Sequence, residues 1–139
     1  MSLSEHKRIV VITGASRGLG REIAVRFGKA GDRVVVNYVL RAQDAAGVVN
    51  EIILAGGEAV SFKADVTIAE EVDAMMNETA RRWGSVDILV NNAGITKDNL
   101  MLRLSEQDWD NVLDTNLKGA FHGIHAVARI MSRQREGHI

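Results

Sequence analysis

Thr13-Gly14-Ala15-Ser16-Arg17-Gly18-Leu19-Gly20 follows directly on the apolar run Ile9-Val10-Val11-Ile12, and its glycines could bring backbone into contact with phosphate. Glycine tolerates angles that a Cβ forbids, and a helix start offers an anion unpaired N–H groups and the positive end of the helix dipole. The β-branched run reads as a buried strand, and Arg21 to Phe27 reads as an amphipathic helix. The glycine order is G-x-x-x-G-x-G, so the general G-x-G-x-x-G fingerprint is not matched. A P-loop would need glycine at Leu19 and lysine at Gly20. Taken alone, the turn is also compatible with a purely structural strand-to-helix connection.

Composition narrows the class. The chain has 139 residues, 46% of them hydrophobic, which suffices for one domain with a real core and is too short for two. Basic and acidic residues nearly balance (17 against 18) without like-charged blocks, so neither a nucleic-acid footprint nor an acidic tail is expected. Zero cysteines exclude disulfides and cysteine metal sites. No apolar run approaches the roughly 18 residues of a membrane span, so no membrane partner and a cytoplasmic location are expected. Residues 1–5 lack the apolar core of a signal peptide, are read as disordered or vector-derived, and stay outside the fold argument.

Strand and helix patterns alternate throughout. Arg33 to Asn37 reads as a second strand, Ala42 to Leu54 as a helix stopped by Gly56-Gly57, and Ala59 to Lys63 as a third strand. Thr67-Ile68-Ala69-Glu70 has capping-box spacing and opens a helix with Val72, Met75, Met76 and Thr79 on one face, ending at Gly84. Val86 to Val90 is a fourth strand, running into Asn91-Asn92-Ala93-Gly94. Ser105-Glu106-Gln107-Asp108 is a second capping box. It opens a long helix with an apolar stripe of Trp109, Val112, Leu113, Leu117, Ala120, Ile124, Val127, Ala128 and Met131, interrupted by Asn116. His138-Ile139 resembles the first step of a fifth strand. Such alternation predicts a parallel sheet covered on both faces.

Gly14 to Gly20, Asn37-Tyr38, Asp65-Val66 and Asn91 to Gly94 thereby fall at the carboxyl ends of four parallel strands, the edge where open α/β sheets bind ligands. With Asn116 they resemble the short-chain dehydrogenase/reductase family, which has T-G-x-x-x-G-x-G, an aspartate after the third strand, N-N-A-G after the fourth and an asparagine in the next long helix. The likeness covers about His6 to Ile139. It implies a Rossmann-type doubly wound α/β sheet, truncated after the fourth strand and the following helix, and one cofactor-binding domain over residues 1–139. Asn91 to Leu100 and Asp114 to Leu117 are most similar to the subgroup that reduces 3-oxoacyl thioesters on acyl carrier protein in fatty acid synthesis.

That resemblance assigns roles. Gly14, Gly18 and Gly20, with the backbone of Leu19, would hold a pyrophosphate at the helix start. Asp65 would accept a hydrogen bond from adenine while Val66 lines the ring, and Asn92, Ala93 and Gly94 would pack against the nicotinamide-side ribose. Asn91 either ties strands together or contacts ligand. An acid after the second strand would bind the 2′-hydroxyl of NAD and repel a 2′-phosphate. Asn37-Tyr38 stands there instead, and Arg17 with Ser16 could pair with a phosphate, so NADP(H) is the expected cofactor. Arg17 could equally be a solvated loop residue, Arg41 is a weaker second candidate, and Asp32 reads as a surface turn residue. Asn116 is either a satisfied core asparagine or, as in the family, the residue that disturbs its helix and holds a water in the proton relay. His122 and His125 have metal-compatible spacing without a third ligand, so a helix surface or interface is expected and no metal. Trp83 and Trp109 read as packing anchors.

The family's proton chemistry uses a serine and a Tyr-x-x-x-Lys pair. The only tyrosine here is Tyr38, and four residues on stands Ala42. By resemblance those residues would lie beyond Ile139, so the chain alone is expected to be inactive. Ending there would also leave the fourth strand at an edge and uncover part of the last helix, which favours a homo-oligomer or association with a C-terminal segment. The alternatives are a non-catalytic NADP(H)-binding module and an oligomerisation fragment acting through the last helix.

Overall fold

The computed structural model describes residues 6–139; the expected disorder of residues 1–5 lies outside them. Four parallel strands, β1 (Ile9–Ile12), β2 (Arg33–Tyr38), β3 (Glu58–Lys63) and β4 (Ile88–Val90), lie in the order β3-β2-β1-β4. Helices α1 (Gly18–Lys29), α2 (Ala42–Leu54) and α3 (Ala69–Trp83) connect them. After β4 come a 3-10 turn (Met101–Arg103), α4 (Glu106–Leu113), a π-helical turn (Asp114–Lys118) and α5 (Gly119–Gln134).

Strand residues alternate between two cores, as the period of a pleated strand requires. Val10, Ile12, Val34 and Val36 pack with Ala24, Val25, Val48 and Ile52 of α1 and α2. Val11, Val35 and Leu89 pack with Val72, Met75 and Met76 of α3 and with Val127 and Met131 of α5. A sheet buried on both faces explains why β1 is apolar at every position. The family-type doubly wound sheet is therefore present, and His138 adds a parallel bridge to Ile88 on the outer side of β4.

Several local expectations are corrected. Thr67 does not cap α3, whose N-cap is Ile68 without a side-chain bond. Its N–H and hydroxyl donate to Asp65 Oδ1 at 2.9 and 2.7 Å, an Asx-type turn that takes up the hydroxyl a capping box needs. At α4 Ser105 does cap, accepting from the Asp108 N–H at 3.0 Å. Asp32 is no surface residue: it is 5% exposed and takes a two-point bond from Arg8, at 2.9 and 2.7 Å.

The last helix departs furthest from expectation. A π-helical turn inserts an extra residue at 114–118, which swings the downstream face by about 100° relative to an unbroken helix. The side of α5 that meets the sheet carries Gly119, Gly123, Val127 and Met131. A Cβ on Gly119 would lie 2.7 Å from Val66 Cγ2, and one on Gly123 would lie 2.6 Å from Asn91 Oδ1. The helix thus sits too close for side chains at those two positions. Trp109, Leu113, Leu117 and Ile124 of the expected stripe are exposed instead, together with Phe121 beside them, so Trp109 is not a packing anchor. Trp83 packs on the second core and donates to Glu58 at 3.2 Å.

Two charged contacts, Arg8 with Asp32 and Arg33 with Glu58, give measurable expectations. Replacing Asp32 by Ala removes both bonds from a half-exposed arginine, so solvent screening limits the loss to about 1–2 kcal/mol, read from urea unfolding. For Glu58, burial opposes the charge, but the hydrogen bond and charge of Arg33 and the bond from Trp83 outweigh it and hold the carboxyl below its ordinary range. A lowered carboxylate stabilises the fold above its unfolded pKa of about 4.3, and that contribution fades as pH falls through the lower folded value. The stability gap between the unaltered chain and Glu58→Gln should therefore narrow on acidification from about pH 6 to pH 3; a constant gap would contradict this.

Candidate active-site cleft

The turn after β1 is braced from both sides. From the β4 side, Thr13 N donates to Val90 O at 3.1 Å, and the Thr13 hydroxyl accepts the N–H groups of Asn92 and Ala93, each at 3.0 Å. The Asn92 amide returns two bonds of 3.0 Å to the carbonyls of Thr13 and Gly14. From the β2 side, Asn37 Oδ1 accepts from Gly14 N at 3.0 Å, and its carbonyl accepts from Ala15 N at 2.8 Å.

The glycines serve distinct ends. Gly18 has φ +60 with open space where a Cβ would point, so conformation alone demands glycine there. Gly20 has no such φ, but a Cβ would lie 2.4 Å from both Asn92 Nδ2 and Gly14 O. That crowding brings α1 hard against the turn. Arg17 is the N-cap without a side-chain bond, and the first turn of α1 holds no acid. The opening N–H groups of α1 are left for water or an anion.

Above this turn lies a cavity of ≈ 590 Å³ bordered by Gly14, residues 16–19, residues 37–41, Asp65, Val66, and residues 92–95. A second hollow of ≈ 560 Å³ adjoins it, lined by Arg17, residues 94–97 and Asn116. The structure thus gathers Gly14, Ser16, Arg17, Gly18, Leu19, Asn37, Tyr38, Asp65, Val66, Asn92, Ala93 and Gly94 around one cleft, with Asn116 beside it. Gly20 lies beneath the turn. Arg17 has no ion pair among the described residues, whereas Arg41 reaches Asp44 at 3.4 Å. No acid stands between Asn37 and Arg41. The hollow therefore carries positive charge from Arg17 and Lys97.

Some side chains are already engaged. Asp65 uses one oxygen to hold Thr67. Val66 is 4% exposed and offers only an edge, while its carbonyl lies 2.7 Å from His122 Nδ1. Asn116, in the π-helical turn, is exposed and not in the core. Its amide clasps the Ile95 backbone, accepting from the N–H at 2.7 Å and donating to the carbonyl at 2.9 Å. Asn91 makes its close approach to Gly123 of α5. Thr13 and His122 also shape the cleft through these bonds. Thr13 carried a signal, a β-branched hydroxyl at a strand end, whereas the His122 contact spans 56 residues and left none.

The short chain dehydrogenase family matches residues 8–139. A 3-oxoacyl-acyl-carrier-protein reductase of Staphylococcus epidermidis is 50% identical over 93% of this chain and 53% of its own length. A reductase of the same description from Synechocystis is 44% identical over 95% of this chain and 53% of its own. A solved structure from Sinorhizobium meliloti 1021, described as a short-chain alcohol dehydrogenase, superposes with a TM-score of 0.88 at 37% identity, covering 94% of this chain and 51% of that one. The chain thus spans about half the length of the relatives it matches. With its sheet order, its glycine turn and its asparagine-rich β4 loop in place, the chain belongs to the short-chain dehydrogenase/reductase family.

Proposed function

We propose that the chain is a single NADP(H)-binding domain, and that the protein it represents reduces 3-oxoacyl thioesters, carried on acyl carrier protein, in fatty acid synthesis in the cytoplasm. The observation that carries the cofactor reading is the start of α1, without a side-chain cap, beside Arg17, an arginine without an ion pair among the described residues, opposite a β2 end that has no acid. The N–H groups of Gly18, Leu19 and Gly20 would bind the pyrophosphate, and Arg17 with Ser16 would bind the 2′-phosphate. Tyr38 would flank that ribose. Asp65 would accept from the adenine amino group over the edge of Val66. The backbone of Asn92, Ala93 and Gly94 would border the nicotinamide ribose, and a Cβ on Gly94 would approach Asn116 Oδ1 to 3.3 Å.

Bound nicotinamide would supply hydride, and these residues would hold and orient it. Asn116 would serve any proton relay through its backbone, since its amide is committed to Ile95. The exposed Trp109, Leu117, Phe121 and Ile124 support association with further copies or with further chain.

Calorimetric titration should give tighter binding of NADPH than of NADH. Arg17→Ala should weaken NADPH by about 10–100-fold, the range of one charge-assisted contact, and leave NADH within about twofold. Equal losses would count against the 2′-phosphate role. Gly20→Ala should weaken both nucleotides, because the new methyl displaces Asn92 from the turn. Without a Tyr-x-x-x-Lys pair, the 139 residues should bind NADPH yet not oxidise it with an acetoacetyl thioester; turnover by this chain alone would refute that assignment.

A further inference from the structure

Asn37 is 1% exposed, and both ends of its amide are engaged. Oδ1 accepts from Gly14 N at 3.0 Å in the glycine turn, while Nδ2 donates to Phe62 O at 3.2 Å and Ala64 O at 3.0 Å, where β3 gives way to the Asp65 loop. Its own carbonyl holds Ala15 N at 2.8 Å, and Ala64 N donates to Tyr38 O at 3.0 Å. One side chain therefore joins the turn that faces the start of α1 to the loop that presents Asp65. We infer that Asn37 is a positioning residue that sets these two loops in register with each other, and that it makes no polar contact to the nucleotide itself.

The chemistry of the amide makes this specific. An aspartate has the same shape but only acceptor oxygens, so at position 37 it would direct a carboxylate oxygen at the carbonyls of Phe62 and Ala64. The acid that selects NAD after β2 thus cannot be introduced here without breaking the brace. Selectivity in this chain falls to groups that reach the open cleft, Arg17 foremost. The binding arm of the test rests on the NADP(H) reading; the exchange arm does not.

Asn37→Asp is the decisive variant. At about pH 8 it should weaken NADPH and NADH by the same factor, about tenfold or more, in contrast to the selective loss expected for Arg17→Ala. Protonation restores one donor, and burial raises the carboxyl's pKa, so affinity should recover as pH falls towards about 5, where the variant is also best folded. Loss confined to NADPH would make Asn37 a ligand contact and overturn the inference, as would unchanged affinity at pH 8. Amide hydrogen exchange without nucleotide supplies the second arm. Coupling predicts faster exchange at both Gly14 N–H and Thr67 N–H, the latter held by the Asp65 carboxylate. Faster exchange at Gly14 alone would reduce Asn37 to a local role and overturn the coupling. Should the unaltered chain bind neither nucleotide, the NADP(H) reading fails and the exchange result alone decides.

Discussion

The turn between β1 and α1 must leave the first N–H groups of α1 open while giving the buried polar groups of Thr13, Gly14 and Ala15 partners. A buried donor or acceptor without a partner costs about 1–3 kcal/mol, so the surrounding strands have to supply the bonds. They do so through Thr13, Asn92 and Asn37, which between them join β1, β2 and β4 at their carboxyl ends. Gly14 and Gly20 follow from the same demand, because the turn is held so tightly against Ala93, Asn92 and itself that a Cβ at either position would collide or crowd.

The second half of the described chain is fitted to this turn from outside. Glycines at 119 and 123 let α5 come close to the Val66 and Asn91 segments. His122 ties the helix to the Val66 carbonyl. The π-helical turn before α5 lets Asn116 clasp Ile95, which continues the loop that Thr13 and Asn92 anchor at its other end. The cleft thus has a rigid floor, with β4's loop pinned at Asn92–Ala93 and at Ile95. Packing on this side leaves Trp109 of α4 and Phe121 and Ile124 of α5 directed outward, a face that carries part of the case for association.

Much of this architecture could be read from the residues. Buried strands appear as β-branched runs, the buried face of α3 follows its apolar spacing, and the cleft lies where four strand ends carry glycine, asparagine and aspartate. What escaped reading was the direction of side chains whose partners are distant in sequence. Asp32 looks like a turn residue until Arg8, 24 positions away, is seen beside it. Asn37 borders the cleft, yet its amide points into the structure at residues 25 and 27 positions further on. Thr67 had a competing acceptor only two residues back. In α5 the apolar pattern misled because glycine, neutral on any hydrophobic count, occupies the closest approach to the sheet.

The central claim is that the open N–H groups at the start of α1, framed by the braced turn, receive the nucleotide's phosphates. Backbone amide resonances followed during NADPH titration test it most directly. The account predicts the largest shifts at Gly18, Leu19 and Gly20, with smaller ones at Asp65 and at Ala93 to Ile95, and little change along Trp109 to Ile124. Shifts concentrated on that outer helical face, with Gly18 to Gly20 unmoved, would contradict it.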